Sequence, residues 1–320
     1  MIISMITVIA PSPDDKRIFS VAKLIPGAVH RSRDVVTHAS GKGANAARAA
    51  AISGAQVVLC TPAGSNLRSR LERQLVPLGI QLRLTPTQRQ TRSCISIVEE
   101  GGRATEFIQE ALPLDPDEAD RFLREAILSI EAADGVLLAG SLPGGLSPAF
   151  YTACARRCVE CAQPLVVDAQ GWTLLAALAG AAAGKPLIAG EERRAQLRTA
   201  TESRRKPVIV KINREEFSAL HALFSGTNGS DDELAAMLHG LGADGVVISD
   251  GPHPVHAWWG ERSVQYPVPA ITATNPIGSG DAMSAGVLLA IVEGRTMHEA
   301  VERGIRMGTA NALTLLPGEV

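Results

Sequence analysis

Asn275-Pro-Ile-Gly278-Ser-Gly280-Asp281-Ala-Met-Ser-Ala-Gly286 follows a strand-like run, residues 263–274, and opens an apolar helix-like run, residues 282–292. That order puts two glycines and a carboxylate where a helix begins. Backbone N–H groups at a helix start have no intrahelical partner, and the helix dipole reinforces their pull on an anion. At Gly278, Ser279 and Gly280 they converge into one hole, with no side chain in the way at either glycine. A carboxylate beside such a hole takes a proton while the hole holds developing charge, which is a phosphoryl-transfer layout. Read alone, the same residues also fit a tight turn followed by a favourable first-turn acid.

Outward from this turn, strand-length apolar runs alternate with helical ones. They fall at residues 1–9, 43–53, 56–60, 65–78, 115–132, 135–138, 148–162, 165–168, 207–211, 214–224, 231–241, 245–249, 282–293 and 297–315. Continuous apolar strands separated by helices predict a parallel sheet covered on both faces, with ligands at the carboxyl ends of its strands. Two stretches break the rhythm and read as β: residues 16–24 with 34–38, and 92–99 turning at Glu100-Gly101-Gly102 into 103–109.

A second glycine segment, Ala39-Ser40-Gly41-Lys42-Gly43-Ala44-Asn45-Ala46-Ala47-Arg48, also opens a helical run. Gly41 and Gly43 permit close backbone approach, while Lys42 and Asn45 supply a cation and a bifunctional amide suited to a phosphorylated polyol. The two segments together resemble the ribokinase-like (PfkB) carbohydrate kinases, which carry Gly-Gly-Lys-Gly-x-Asn near the N-terminus and Gly-x-Gly-Asp near the C-terminus. Three more stretches fit in order. Ala10-Pro11-Ser12-Pro13-Asp14 looks like the family's Asn-Pro-x-x-Asp, Ala139-Gly140-Ser141-Leu142-Pro143 its Ser-Gly-Ser-Leu-Pro, and Lys211-Ile212-Asn213-Arg214-Glu215-Glu216 its Lys-Pro-Asn-x-x-Glu. Ala10, Ser40 and Ile212 depart from the family pattern, and none of them removes a side chain assigned to the chemistry.

The resemblance implies a three-layer α/β/α sandwich with a mostly parallel central sheet and a small β lid. One kinase domain would span residues 1–320, with the lid built from about 11–38 and 88–110 and an insertion at about 180–205. It implies ATP as donor, Mg2+ as cofactor and Asp281 as general base, with the Gly278, Ser279 and Gly280 amides holding the transferring group. Asp14, Gly41, Lys42, Gly43, Asn45, Arg92 and Ser141 would bind the acceptor. Lys211, Asn213, Ser249, Gly251 and Asn311 would lie at the nucleotide, and Asn213 and Glu216 would position magnesium through water. From the residues alone, Asn213 and Glu216 also read as a helix cap and a first-turn acid, and Asn311 as a mid-helix polar residue. Thr91-Arg92 and the Asn275 segment sit closer to the hexose-phosphate branch, kinases of tagatose 6-phosphate and fructose 1-phosphate. Lys42, Arg92 and Arg31 would then neutralise the acceptor's phosphate. The lid of this family implies a homodimer. Ribokinase-type phosphorylation of a free sugar or nucleoside, or sugar-phosphate binding without catalysis, are the alternative functions.

Composition excludes other classes. A net charge of −2 gives no footprint for nucleic acid or anionic lipid, and 3% aromatics leave few base-stacking platforms. No run reaches transmembrane length and the apolar first ten residues lack a basic n-region, so a cytoplasmic protein is expected. Cys154, Cys158 and Cys161 mimic an iron–sulfur spacing but recur at i, i+4 and i+7 of a helical run, the period of a core stripe. His253-Pro-Val-His256 reads as a surface turn rather than a metal site. No P-loop, dinucleotide fingerprint or Gly-x-Ser-x-Gly elbow is present.

Overall fold

The computed structural model describes residues 4–33, 35–184, 206–225 and 230–320. Its apolar runs pair edge to edge into a nine-stranded sheet. Across that sheet lie β13 (Arg262–Tyr266), β12 (His253–Trp259), β11 (Gly245–Asp250), β10 (Val208–Asn213), β9 (Leu165–Asp168), β8 (Gly135–Ala139), β1 (Met5–Ile9), β4 (Gln56–Ala63) and β5 (Gln81–Pro86). The seven strands from β11 to β5 run parallel, and β12 and β13 fold back antiparallel. Alternate side chains feed two cores, one on each face: Ile6 and Val8 enter the first, Ile9 the second. Helices α1 (Lys42–Ile52), α2 (Ser65–Leu75), α8 (Ser279–Val292) and α9 (Met297–Ala312) cover the first face. Helices α3 (Pro116–Glu131), α4 (Ala149–Glu160), α5 (Gly171–Ala183), α6 (Arg214–Ser225) and α7 (Asp231–Leu241) cover the second. Helix α8 is buried from Asp281 to Ile291, which explains why its sequence is apolar all round.

A separate four-stranded sheet forms the lid, in the order β3 (Val35–Ser40), β2 (Asp14–Val21), β6 (Ser93–Glu99), β7 (Ala104–Ile108). Its pleat sorts the side chains. Asp14, Lys16, Ile18, Cys94 and Ser96 lie on one face, and Arg17, Phe19, Ile95, Ile97 and Phe107 on the other. At the β6–β7 turn, Gly102 bears on Ala273 so closely that a Cβ there would lie 2.2 Å from the Ala273 oxygen.

Several expected elements differ. The strand predicted over 263–274 stops at Tyr266, because Pro267 and Pro269 lack the N–H groups a ladder needs. The glycine turn is tied down by tertiary bonds instead, with the amides of Thr274 and Asn275 both donating to the Ala312 carbonyl. His253 and His256 lie in strand β12 rather than in a turn, and Pro254 fits because β11 bulges between Ile248 and Asp250, opposite it. Residues 180–183, expected to begin an insertion, complete helix α5, and residues 185–205 fall outside the described residues. Cys154 and Cys158 are buried in the second core and free, and burial pushes both thiols up in pKa. Among the described residues no helix is long and apolar enough to cross a membrane.

Candidate active site

The carboxyl ends of β8, β9, β10 and β11 open on a cleft of about 1210 Å³, roofed by the polar face of the lid. At its centre Gly278 caps α8 in the left-handed region, φ +86°, which a side chain would strain. A Cβ there would also meet Pro317 at 2.8 Å. Among the described residues, the amides of Gly278, Gly280 and Asp281 donate to nothing, so three N–H groups remain for an anion. The Ser279 amide, expected among them, is spent on the Pro276 carbonyl at 3.2 Å. The Lys211 ammonium stands beside the turn, 2.7 Å from where a Cβ on Gly280 would be.

Asp281 is buried, and Asn45 donates to its Oδ2 at 2.8 Å. Asn45 is held in turn by the Ser40 hydroxyl, which donates to its Oδ1 at 3.0 Å, so a residue that departs from the family pattern fixes the amide's orientation. Burial, then the nearby charge of Asp168, pushes the Asp281 carboxyl up to about 7. Asp168 is a residue the sequence reading missed. It ends buried strand β9, and it accepts from Lys42 at 2.7 Å and from the Ser284 hydroxyl at 2.6 Å. Burial works to raise it too, but Lys42 and Lys211 outweigh that and hold it at about 2. A carboxylate ending the apolar run Leu165-Val-Val-Asp168 at a parallel sheet's carboxyl edge was the available signal.

Lys42 also donates to Glu216 at 2.6 Å, so its ammonium already serves two carboxylates. Burial opposes its charge, yet Asp168, Glu216 and Asp281 raise it above the usual lysine range. It lines the floor of the cleft with its ammonium held between these two carboxylates. Asn213 and Glu216 form a reciprocal cap on α6: Glu216 N–H donates to Asn213 Oδ1 at 2.8 Å, and Asn213 N–H to Glu216 Oε2 at 3.0 Å. Both residues also line the cleft. Asn311 faces inward: its amide donates to the Ile277 carbonyl and the Ser279 hydroxyl, and its Oδ1 accepts from Gly318 N–H at 2.6 Å. It braces the anion hole from behind. Ser249, near the end of β11, Gly251, just after it, and Ser141, after β8, line the cleft.

Gly41 and Gly43 are needed for packing against protein. A Cβ at Gly41 would meet Pro13 at 2.9 Å, and one at Gly43 would meet Ala10 at 2.3 Å. Their closeness seats α1 against the strand that leads to Asp14. Asp14 is buried, its Oδ1 without a hydrogen bond. Burial raises its carboxyl against the pull of Lys16 and Arg92. Arg92 Nη2 lies 3.9 Å from Asp14 Oδ2, with its guanidinium anchored on the Ser12 and Pro13 carbonyls. Asn66, unremarked in the sequence, clamps Thr91 on both backbone sides and so sets the approach of Arg92. Arg31 is exposed on the β2–β3 connection.

The model of the pfkB family carbohydrate kinases matches residues 5–189 and 164–315. The chain belongs to this family. It is therefore a sugar kinase, a phosphotransferase of a family that uses ATP. Among solved structures it resembles phosphofructokinase-2 from Escherichia coli in complex with fructose-6-phosphate, with 24% identity, a TM-score of 0.78, and 97% of this chain and 94% of that one covered. A possible 1-phosphofructokinase from Thermotoga maritima matches with 18% identity and a TM-score of 0.79 over 96% of this chain and 92% of that one. A ribokinase from the same organism gives 18% and 0.69 over 98% and 95%. These likenesses show the fold: ribokinase-like α/β with a mostly parallel central sheet and a separate small one.

Proposed function

We propose that this pfkB kinase transfers the γ-phosphoryl group of ATP to a hydroxyl of a ketohexose phosphate such as tagatose 6-phosphate or fructose 1-phosphate. One observation carries the reading: a single cleft joins buried Asp281, beside three unspent amides, to Asp14 and Arg92 under the lid. Asp281 accepts the proton of the acceptor hydroxyl as that oxygen bonds to the γ-phosphorus and the bond to the leaving diphosphate breaks. Asn45 holds the carboxylate in place for this transfer. The amides of Gly278, Gly280 and Asp281, with Lys211, hold the charge spread over the transferring group. Asp14 takes the sugar's hydroxyls, and Arg92 pairs with the phosphate it already carries.

The donor set fits magnesium of one kind. Among the described residues no cluster of three or more metal-ligating side chains exists, which suits an ion held chiefly by phosphate oxygens and water. Asp168, Glu216 and Asn213 would hold its water shell, and the ion would neutralise phosphate charge. The apolar outer face of the lid, where Val35, Ile95 and Phe107 are exposed, fits a second copy of the chain. One feature favours an unphosphorylated acceptor as the second reading: the lid face sets the acids Asp14 and Glu106 against Lys16 and Arg92, leaving no excess of positive charge. Incubation with Mg·ATP and a panel of sugars and sugar phosphates, following ADP release, decides. Turnover confined to ketohexose phosphates supports the first reading, and efficient turnover of free sugars or nucleosides replaces it with the second.

A further inference from the structure

Lys16 and Glu106 were not singled out by the sequence, yet they face each other across the lid. Lys16 is buried, its side chain 5% exposed, and donates from Nζ to Glu106 Oε1 at 2.8 Å. That same oxygen also accepts from the Ser96 hydroxyl at 2.9 Å and from the Cys94 thiol at 3.6 Å. Three donors converge on Oε1, and none among the described residues reaches Oε2. The ammonium has three N–H groups and spends one. Both residues line the cleft, on the lid face that carries Asp14.

An ion pair with one partner open to solvent contributes little to the stability of a fold. What this pair offers is an unspent carboxylate oxygen and unspent ammonium protons side by side. A hydroxyl both donates and accepts, so it satisfies both. A phosphate would satisfy only the ammonium and would meet Glu106 and Asp14 as like charges. We infer that Glu106 and Lys16 determine sugar specificity, Glu106 Oε2 accepting from one hydroxyl of the acceptor while Lys16 donates to the oxygen of that hydroxyl or its neighbour. Ser96 and Cys94 are positioning residues that fix which Glu106 oxygen is turned to the sugar. A site built to bond a hydroxyl strongly disfavours the epimer or deoxy analogue that misplaces it. The pair therefore sorts acceptors by ring stereochemistry, while Arg92 sorts them by phosphate. This rests on the kinase reading above.

The test is steady-state kinetics of the full-length protein with Mg·ATP, using epimeric and deoxy ketohexoses both free and phosphorylated. Wild type, Glu106→Gln, Glu106→Asp and Lys16→Met are compared, with thermal melting to verify folding. Glu106→Gln is expected to raise KM for the acceptor by roughly 10–100-fold, to leave KM for ATP within about threefold, and to shrink the preference between epimers by about tenfold or more. The loss should be equal for phosphorylated and free forms of one sugar. Folded variants that keep the wild-type epimer preference overturn the inference alone, and so does a loss confined to phosphorylated acceptors. Wild-type protein that phosphorylates none of the panel overturns the kinase reading together with it.

Discussion

On the floor of the cleft, Lys42 bonds Asp168 and Glu216, Ser284 bonds Asp168, and Asn45 bonds Asp281. Under the lid, the buried Asp14 Oδ1 and Ser12 Oγ find no partner among the described residues, and Glu106 leaves one oxygen unused by them. A buried polar atom without a partner costs about 1–3 kcal/mol, so the lid stands to gain from a ligand that supplies the missing partners. On the floor the side chains named above are already paired, and among the described residues it is the amides of Gly278, Gly280 and Asp281 that stay open. Groups that stabilise a transition state are held in advance, where reorganisation would slow the chemistry. Groups that recognise a substrate are left open, so that the right ligand gains what they lack.

The sharpest way to break this contrast is at Asp281. Asp281→Asn should lower kcat by roughly 10²–10⁴ with little change in acceptor affinity. Because burial lifts Asp281 to about 7, the native state holds its proton more tightly than the unfolded chain does. The stability this gives is full below about pH 4 and is lost as pH rises to about 7. Asp281→Asn should therefore melt higher than wild type at pH 8, an advantage that fades near pH 4. A variant with near-normal turnover, or one less stable at pH 8, removes the assignment.

Arg92→Ala probes the open side and should raise KM for the sugar phosphate by roughly 10–100-fold, leaving KM for ATP almost unchanged, since only the acceptor meets its guanidinium. A matching rise for ATP would show that lid and floor are not separate in function. A milder effect is expected from pH alone. The acidic limb of kcat/KM for wild type should have its midpoint near 7, falling about tenfold per unit below it, and a midpoint near 4 would mean that Asp281 is not desolvated in the free protein. The smallest change in turnover belongs to the outer lid. Phe107→Glu should convert a dimer to a monomer in sedimentation while turnover per chain shifts by only about twofold, and a wild-type chain that is monomeric at micromolar concentration ends the dimer proposal.

Local order was legible in the sequence and long-range pairing was not. The runs that became β1, β8 and α8 showed in composition because burial on both faces leaves no room for polar residues. Gly278, Gly280 and Asp281 showed because a helix start has a local signature. The partners of Lys42 were not legible because Asp168 and Glu216 lie 126 and 174 positions away, and nothing near residue 42 reports them. Gly43 looked like a ligand cradle because a glycine against Ala10 reads the same as one against a phosphate. Lys16 and Glu106 looked like ordinary charged residues on short strands, because strand pairing alone brings them together.

The bond between Asn45 and Asp281 joins positions 236 residues apart in the chain. At a synthesis rate of about 5–20 residues per second, roughly 10–50 s pass between the two leaving the ribosome. Once Ile108 has emerged the four lid strands have their sequence complete, while Asp281 does not yet exist. A contact of such long range also adds to the loop-closure entropy that slows folding. The floor of the cleft is thus among the last features this chain completes during biogenesis, and a product interrupted before helix α8 carries Asp14, Arg92 and the lid without Asp281 or the glycine turn.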